Sequence, residues 1–225
     1  MRAGLRISLV IPCHNEEQGL SALLPRVPQD VDEVVVIDNH CSDRTAEVAR
    51  SMGARVIAEP RRGYGAAYQA GLAAAAGDLV VTMDGDGTYP PEAIPALVDV
   101  LLERNWDFLS ACRFPLQDLA AMGPTNRLGN TILTWTVAVL FQARIRDSQS
   151  GMWVFRRALL ERMRLISTGM AFSQEIKLEA IARGARFGES HIPYGLREGE
   201  VKLRKWRDGF ANLSHLFRRR LGLSR

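Results

Sequence analysis

The chain predicts an α/β fold in which a mainly parallel sheet is sandwiched by helices. Three observations support this. Strand-like apolar runs alternate with helical segments over the first half of the 225 residues, joined by short loops. The run at 79–83 is continuously apolar, as in a strand buried on both faces. No internal repeat, low-complexity tract or flexible linker breaks the pattern.

The elements follow in order. A strand is expected over 6–11, and a helix over 16–24 that stops before Pro25. A second strand at 33–37 leads to a helix at 43–52, with Ser42 as N-cap and Gly53 as its stop. The third strand, 55–58, precedes an Ala-rich helix at 65–76. The strand at 79–83 is followed by a helix opened by Pro90-Pro91 and by a strand at 107–111. After Arg113 the rhythm breaks. A loop and a long helix near 126–143 come next, then a strand at 152–155 and a helix at 173–183. A strand at 185–192 and a terminal basic helix complete the chain.

Composition narrows the class. Hydrophobic content of 47% and charged content of 24% are those of an ordinary globular protein, and the length suits one domain with a full core. The net charge of +4 suits anionic partners such as nucleotides, phospholipid or nucleic acid. Cys13, Cys41 and Cys112 are odd in number and lack C-x-x-C spacing, which points to free thiols in a reducing compartment. The apolar run at 7–11 is too short for a signal peptide and ends in Pro12. The longest later run, 131–141, falls below the roughly 20 residues that span a bilayer. A cytoplasmic chain without a membrane-crossing segment is expected.

The most informative motif is Asp84-Gly85-Asp86-Gly87-Thr88, at the end of the 79–83 strand. Carboxylates at i and i+2 offer hard oxygen ligands to Mg²⁺ or Mn²⁺, and Gly85 and Gly87 let a ligand approach the backbone. Ligands of open α/β sheets sit at the carboxyl ends of strands, so a metal-bound diphosphate is the expected occupant. The same pair matches the D-x-D-x-T nucleophile motif of haloacid-dehalogenase-like phosphatases, with Asp84 as nucleophile. That fold places the motif on an early strand and needs a later lysine and acidic pair. Here three βα units precede it and no such acidic pair follows.

Other turns add context. The first βα turn reads Pro12-Cys13-His14-Asn15-Glu16-Glu17 rather than Gly-x-Gly-x-x-Gly, and its two glutamates would repel a dinucleotide pyrophosphate. Gly63-Tyr64-Gly65 after Arg61-Arg62 reads as a tight turn with basic residues near the ligand edge. Asp38 emerges at a strand end, where it serves a ribose or base, or else the turn itself. Cys13-His14 and His40-Cys41 end neighbouring strands, but adjacent residues point to opposite sides, which disfavours a tetrahedral zinc site.

Taken in order, Pro12-x-x-Asn15-Glu16, Ile37-Asp38-Asn39 with Ser42-Asp43, Gly63-Tyr64-Gly65 and Asp84-Gly85-Asp86 resemble the family 2 glycosyltransferases. These have the GT-A (nucleotide-diphospho-sugar transferase-like) fold, Rossmann-like in its N-terminal half. The later segments look like the dolichyl- or polyprenyl-phosphate mannose or glucose synthase branch. They are Arg113, Asn126-Arg127-Leu128-Gly129-Asn130, Asp147-Ser148-Gln149-Ser150-Gly151, Glu175 and Tyr194-x-x-Arg197-x-Gly199-x-x-Lys202-Leu203. His14 stands where that branch usually has tyrosine, and Asn39-His40-Cys41 replaces an acidic-Gly-Ser turn. Thr88 replaces a glutamine and Val201 a serine. GDP versus UDP and mannose versus glucose therefore stay open.

The resemblance implies a metal-dependent, inverting transfer of a hexose from a GDP- or UDP-hexose to a polyprenyl phosphate, with Mg²⁺ or Mn²⁺ as cofactor. It assigns Asp84 and Asp86 to the metal, and Asp86, Asp147 and Arg127 to catalysis. It assigns Pro12, His14, Glu16, Ile37, Asp38, Asn39, Asp84, Gly85, Asp86 and Arg113 to the nucleotide sugar. Arg127, Gln149, Ser150, Glu175, Arg197 and Lys202 fall to acceptor and phosphate binding, with Arg113, Arg127, Arg197 and Lys202 as clamps for acceptor and donor phosphates and Asp147 and Glu175 orienting the acceptor or sugar. One glycosyltransferase domain would span 1–225, with a nucleotide-sugar half at about 1–113, an acceptor half at 114–203 and a basic C-terminal helix at 204–225.

A phosphate acceptor is already anionic and needs positioning rather than a base. A saccharide hydroxyl acceptor would need one, and Asp147 is the candidate. A lipid acceptor implies the inner face of the cytoplasmic membrane, with or without a membrane partner protein. The 131–141 run, with Trp135, Leu140 and Phe141, reads as a prenyl-sheltering or interfacial surface, or as a buried core helix. Trp206, Phe210, Leu213 and Phe217 recur at helical spacing among Arg204, Lys205, Arg207 and Arg218-Arg219-Arg220. That gives either a membrane-surface helix or one docked on the sheet with a solvated basic end. No helix-turn-helix or aromatic platform points to nucleic acid.

Overall fold

The apolar runs become seven strands of one sheet. They are β1 (Ile7–Cys13), β2 (Glu33–Asp38), β3 (Arg55–Ala58), β4 (Leu79–Thr82), β5 (Phe108–Cys112), β6 (Trp153–Arg156) and β7 (Phe187–His191). Their order is β3-β2-β1-β4-β6-β5-β7, and every pairing is parallel except those of β6, which runs antiparallel to β4 and β5. The computed structural model describes residues 1–199 and 205–223, so Lys202 and Arg204 lie outside the described residues.

Helices α1 (Glu17–Leu23), α2 (Thr45–Ser51), α3 (Tyr64–Ala74), α4 (Ile94–Glu103), α5 (Pro124–Phe141), α6 (Phe172–Ala182) and α7 (Lys205–Arg220) complete the chain. One core cluster joins Leu20 and Leu23 of α1 and Leu97, Val98 and Leu101 of α4 to Ile7, Leu9 and Ile11 of β1. The other face of the sheet holds Tyr68 and Leu72 of α3 and Phe172 and Ile176 of α6 against Val10, Val35 and Val80. The central strands are buried on both sides, which is why their sequences lack alternation.

Most boundaries fall within two residues of expectation. The first strand passes through Pro12 to Cys13, because β4 pairs no further along β1 than Val10, leaving no ladder partner for the missing N–H of Pro12. α2 starts at Thr45, and Asp43 Oδ1 accepts the Thr45 N–H at 3.0 Å, so Asp43 takes the role expected of Ser42. α5 stops at Gln142, which adopts φ 53°.

A third cluster sets α5 and α7 over α6, through Leu133 and Val137, Leu178, and Leu216. α7 docks on this cluster through Leu213 and Leu216, and leaves Phe210 and Phe217 exposed. The expected stripe of Trp206, Phe210, Leu213 and Phe217 is thus split: Leu213 docks, while Phe210 and Phe217 face outward, and the Trp206 side chain lies outside the described residues. Among the described residues no helix is long and apolar enough to cross a membrane.

Candidate active site

β2, β1 and β4 end side by side, and the turns that follow them enclose a cleft of about 300 Å³. Pro12, His14 and Glu16 come from the turn after β1, and Asn39 from the turn after β2. Arg62, Gly63 and Tyr64 approach at the start of α3, and Asp84, Gly85 and Asp86 follow β4. Met170, Arg197 and Asp208, from the second half of the chain, complete the wall.

Both carboxylates of the motif face this space. Asp84 Oδ1 accepts from the Tyr64 hydroxyl at 3.0 Å, and the Tyr68 hydroxyl sits between Asp84 Oδ1 (3.4 Å) and the Gly151 carbonyl (3.2 Å). Burial, and then the neighbouring charge of Asp86, push the Asp84 pKa up to about 7. Asp86 Oδ1 accepts from the Thr88 N–H (3.1 Å) and hydroxyl (2.6 Å), and Oδ2 from Arg197 Nη1 (2.6 Å). The other fork of that guanidinium, Nη2, donates to Glu16 Oε1 at 2.6 Å. Two mutually repelling hard carboxylates beside cationic side chains fit a divalent cation accompanied by an anionic ligand. Among the described residues no group of three or more His, Cys, Asp or Glu forms a complete protein cage.

Close packing holds the acidic turn in place. A Cβ on Gly19 of α1 would lie 2.2 Å from the Gly85 carbonyl oxygen, so α1 rests directly on this backbone. A Cβ on Gly85 would lie 2.7 Å from Cys13 Sγ, a packing reason for glycine beside the ligand approach expected of it. Gly151 meets Asp84 and Tyr64 from the other side, where a Cβ would lie 2.6 Å from the Tyr64 hydroxyl.

Residues 8–164 match the family described as glycosyl transferase family 2. The chain belongs to this family. It is 36% identical over 209 residues to a dolichyl-phosphate hexose transferase of Haloferax volcanii, covering 91% of this chain and 90% of that protein. A dolichol-phosphate mannosyltransferase of Pyrococcus furiosus is 28% identical over 95% of this chain and 63% of its own length. Among solved structures, glucosyl-3-phosphoglycerate synthase of Mycobacterium tuberculosis, in complex with Mn²⁺, UDP and phosphoglyceric acid, aligns with a TM-score of 0.79. The alignment is 23% identical and covers 100% of this chain and 81% of that one. The mixed seven-stranded sheet flanked by helices is thus the GT-A fold, and the chain is a glycosyltransferase.

Within this family 2 fold, Pro12, His14, Glu16, Asn39, Asp84, Gly85 and Asp86 line the cleft as expected, whereas Ile37, Asp38 and Arg113 are not among its lining residues. Ile37 is fully buried in the core, close against Gly71. Asp38 accepts the Cys41 N–H at 2.9 Å and closes its own turn. Asn39 is also a staple, donating to the Glu59 and Arg61 carbonyls and accepting from the Gly63 N–H. Burial pushes the Cys41 thiol up to about 11, the opposite of what a zinc thiolate needs.

Arg113 and Asp147 are locked together. Burial acts to raise the Asp147 pKa, but the Arg113 guanidinium overrides it and holds the carboxylate at about 2. Asp147 therefore serves as the partner of Arg113 and does not stand ready as a base. Behind it, Lys177 Nζ donates to the Asp147 and Ser148 carbonyls at 2.7 and 3.1 Å, and burial lowers its pKa to about 8.

Most of the expected acceptor residues are occupied within the protein. Gln149 donates to Ser148 and Gln174 and accepts from Asn212 of α7. Ser150 is the exception: it is fully buried and its carbonyl accepts from Trp153 Nε1, but its hydroxyl has no hydrogen-bond partner among the described residues. Glu175 accepts from the Ile166 and Ser167 N–H groups and lies 3.8 Å from Arg219, so it ties α6 and α7 to a loop rather than facing the cleft. Arg127 is half-buried near the start of α5, outside the cleft lining, whereas Arg197 is in it. Tyr68, Tyr89 (whose hydroxyl accepts the Gly151 N–H at 2.8 Å), Gly19, Lys177 and Asp208 were not legible as site residues. Glycine inside a helix, as at Gly19, is the one available signal of close backbone approach.

Proposed function

We propose that this chain transfers a hexose, with inversion, from a nucleoside-diphosphate sugar to a polyprenyl phosphate, with Mg²⁺ or Mn²⁺. The carrying observation is the Asp84–Asp86 pair in the wall of a cleft that also holds Arg62 and Arg197. Its position at the carboxyl ends of parallel strands is where nucleotides bind in such sheets. The similarity to dolichyl-phosphate hexose and mannosyl transferases, and the Mn²⁺ and UDP of the structural neighbour, support the reading.

When bound, a divalent cation neutralises the charge that develops on the leaving diphosphate. Asp84 and Asp86 would hold it, while Pro12, His14, Glu16 and Asn39 frame the nucleotide. Arg197, with its bidentate fork, and Arg127 are assigned to phosphate oxygens, with Lys202 joining them. The half at about 1–113 carries the donor, 114–203 the acceptor side, and 204–225 the basic helix.

Two features favour a lipid phosphate over a sugar hydroxyl. The base nominated for a hydroxyl acceptor, Asp147, is held by Arg113, and a phosphate needs no base. α5 also exposes Leu128, Ile132, Trp135 (68%) and Val139, opposite its docked Leu133 and Val137. Beside it α7 exposes Phe210 and Phe217 with Arg218 and Arg220. Apolar and basic side chains exposed on two adjacent helices fit the inner, anionic face of the cytoplasmic membrane. The test is incubation with UDP- or GDP-hexose, Mn²⁺ and a short polyprenyl phosphate. A glycosyl phosphoprenol is expected; transfer to saccharide hydroxyls alone would overturn the reading.

A further inference from the structure

Arg197 lies across the acidic pair in a way that a simple phosphate ligand does not require. Its guanidinium bridges Asp86 Oδ2 and Glu16 Oε1, both at 2.6 Å, and the side chain is only a quarter exposed. Since the Thr88 N–H and hydroxyl take Asp86 Oδ1, both oxygens of Asp86 are engaged. The backbone that carries Arg197 is fixed separately. Gly195 N–H donates to the Thr88 carbonyl and Glu198 N–H to the Asp86 carbonyl, each at 2.8 Å. The side chain can therefore change partners while its backbone stays anchored to the acidic turn.

We propose that Arg197 is a resident counter-cation of the acidic pair, exchanged for the metal–diphosphate of the donor. Without donor, it satisfies Asp86 and Glu16 and competes with free cations for them. When a diphosphate enters with its cation, the guanidinium passes from the carboxylates to the phosphate oxygens, its other natural partner. Arg197 is then a positioning residue that makes cation binding depend on the nucleotide, because two carboxylates alone supply few of the oxygens that Mg²⁺ or Mn²⁺ requires. This inference rests on the donor proposed above.

The experiment is a Mn²⁺ titration of the full chain, read by the electron paramagnetic resonance of free Mn²⁺, without and with UDP or GDP. The wild type should bind Mn²⁺ weakly alone and tightly with nucleotide. Arg197→Gln should bind Mn²⁺ alone about tenfold to a hundredfold more tightly, the range expected when a charged hydrogen-bonding competitor is removed. Its nucleotide affinity at saturating Mn²⁺ should fall. Adding Asp86→Asn to Arg197→Gln should abolish the gain, placing the effect at this carboxylate. Arg197→Lys, which keeps the charge without the fork, should fall between and serves if Arg197→Gln does not fold. Unchanged or weaker Mn²⁺ binding by the folded variants would overturn the exchange. If nucleotide-dependent binding persists in that case, the donor reading survives; if Mn²⁺ binds neither with nor without nucleotide, both fail.

Discussion

Arg113 and Asp147 are joined by two parallel bonds, Nε to Oδ2 at 2.7 Å and Nη2 to Oδ1 at 2.8 Å, and the Arg113 N–H adds a third at 3.1 Å. Both side chains are buried, so neither charge can be left alone cheaply. Asp147→Ala should cost about 3–5 kcal/mol of stability, the range for breaking a buried ion pair, measured by urea denaturation. The Asp147 pKa is depressed to about 2, so its contribution is present above pH ~4, the unfolded-state value, and is lost as pH falls through about 2. A folded, equally stable Asp147→Ala that has lost only activity would instead restore Asp147 as a base.

Asp84 behaves in the opposite sense. Burial and the charge of Asp86 raise its pKa to about 7, so the folded protein binds a proton that the unfolded chain releases near pH 4. Its ionisation penalty is absent below pH ~4, grows between about 4 and 7, and is complete above 7. Asp84→Asn should therefore stabilise the metal-free protein at pH 8 by about 1 kcal/mol or more while abolishing transfer. A thermal melt across this pH range checks it, and a variant less stable than wild type at pH 8 counts against the assignment.

Gly19→Ala would drive a Cβ into the backbone of Gly85 and Asp86. A loss of about 1–3 kcal/mol is expected, together with weaker nucleotide binding. Gly209→Ala, in α7 with nothing within 4 Å of the added carbon, is the contrast. It should gain about 0.5–1 kcal/mol through helix propensity. Equal effects at the two sites would refute the packing argument.

The α5 surface makes a separate prediction. Ile132→Glu with Trp135→Glu should reduce co-sedimentation with phosphatidylglycerol vesicles several-fold and leave the melting temperature nearly unchanged, because both side chains are already exposed. Unaltered vesicle binding would direct attention to another surface.

The legible parts of this molecule are those decided locally. Runs such as Leu79–Thr82 declare buried strands, and Asp84-Gly85-Asp86 at a strand end declares part of the cleft wall, because spacing alone delivers both. The direction of β6 depends on how the chain returns after α5, which no local pattern encodes. Gln149 and Glu175 look like ligand groups in sequence, yet their partners are Asn212 and the Ile166 and Ser167 N–H groups, which no local pattern brings to them. Lys177 was hidden for the same reason: a lysine reads as surface until two carbonyls are found at its tip.

The most direct test is a crystal structure with Mn²⁺ and UDP or GDP, using the anomalous signal to locate the metal. One strong peak touching Asp86 is expected, with Asp84 adjacent and the diphosphate on the far side. A bound nucleotide with no peak there, or with Asp84 and Asp86 turned from it, would rule out a metal on this pair.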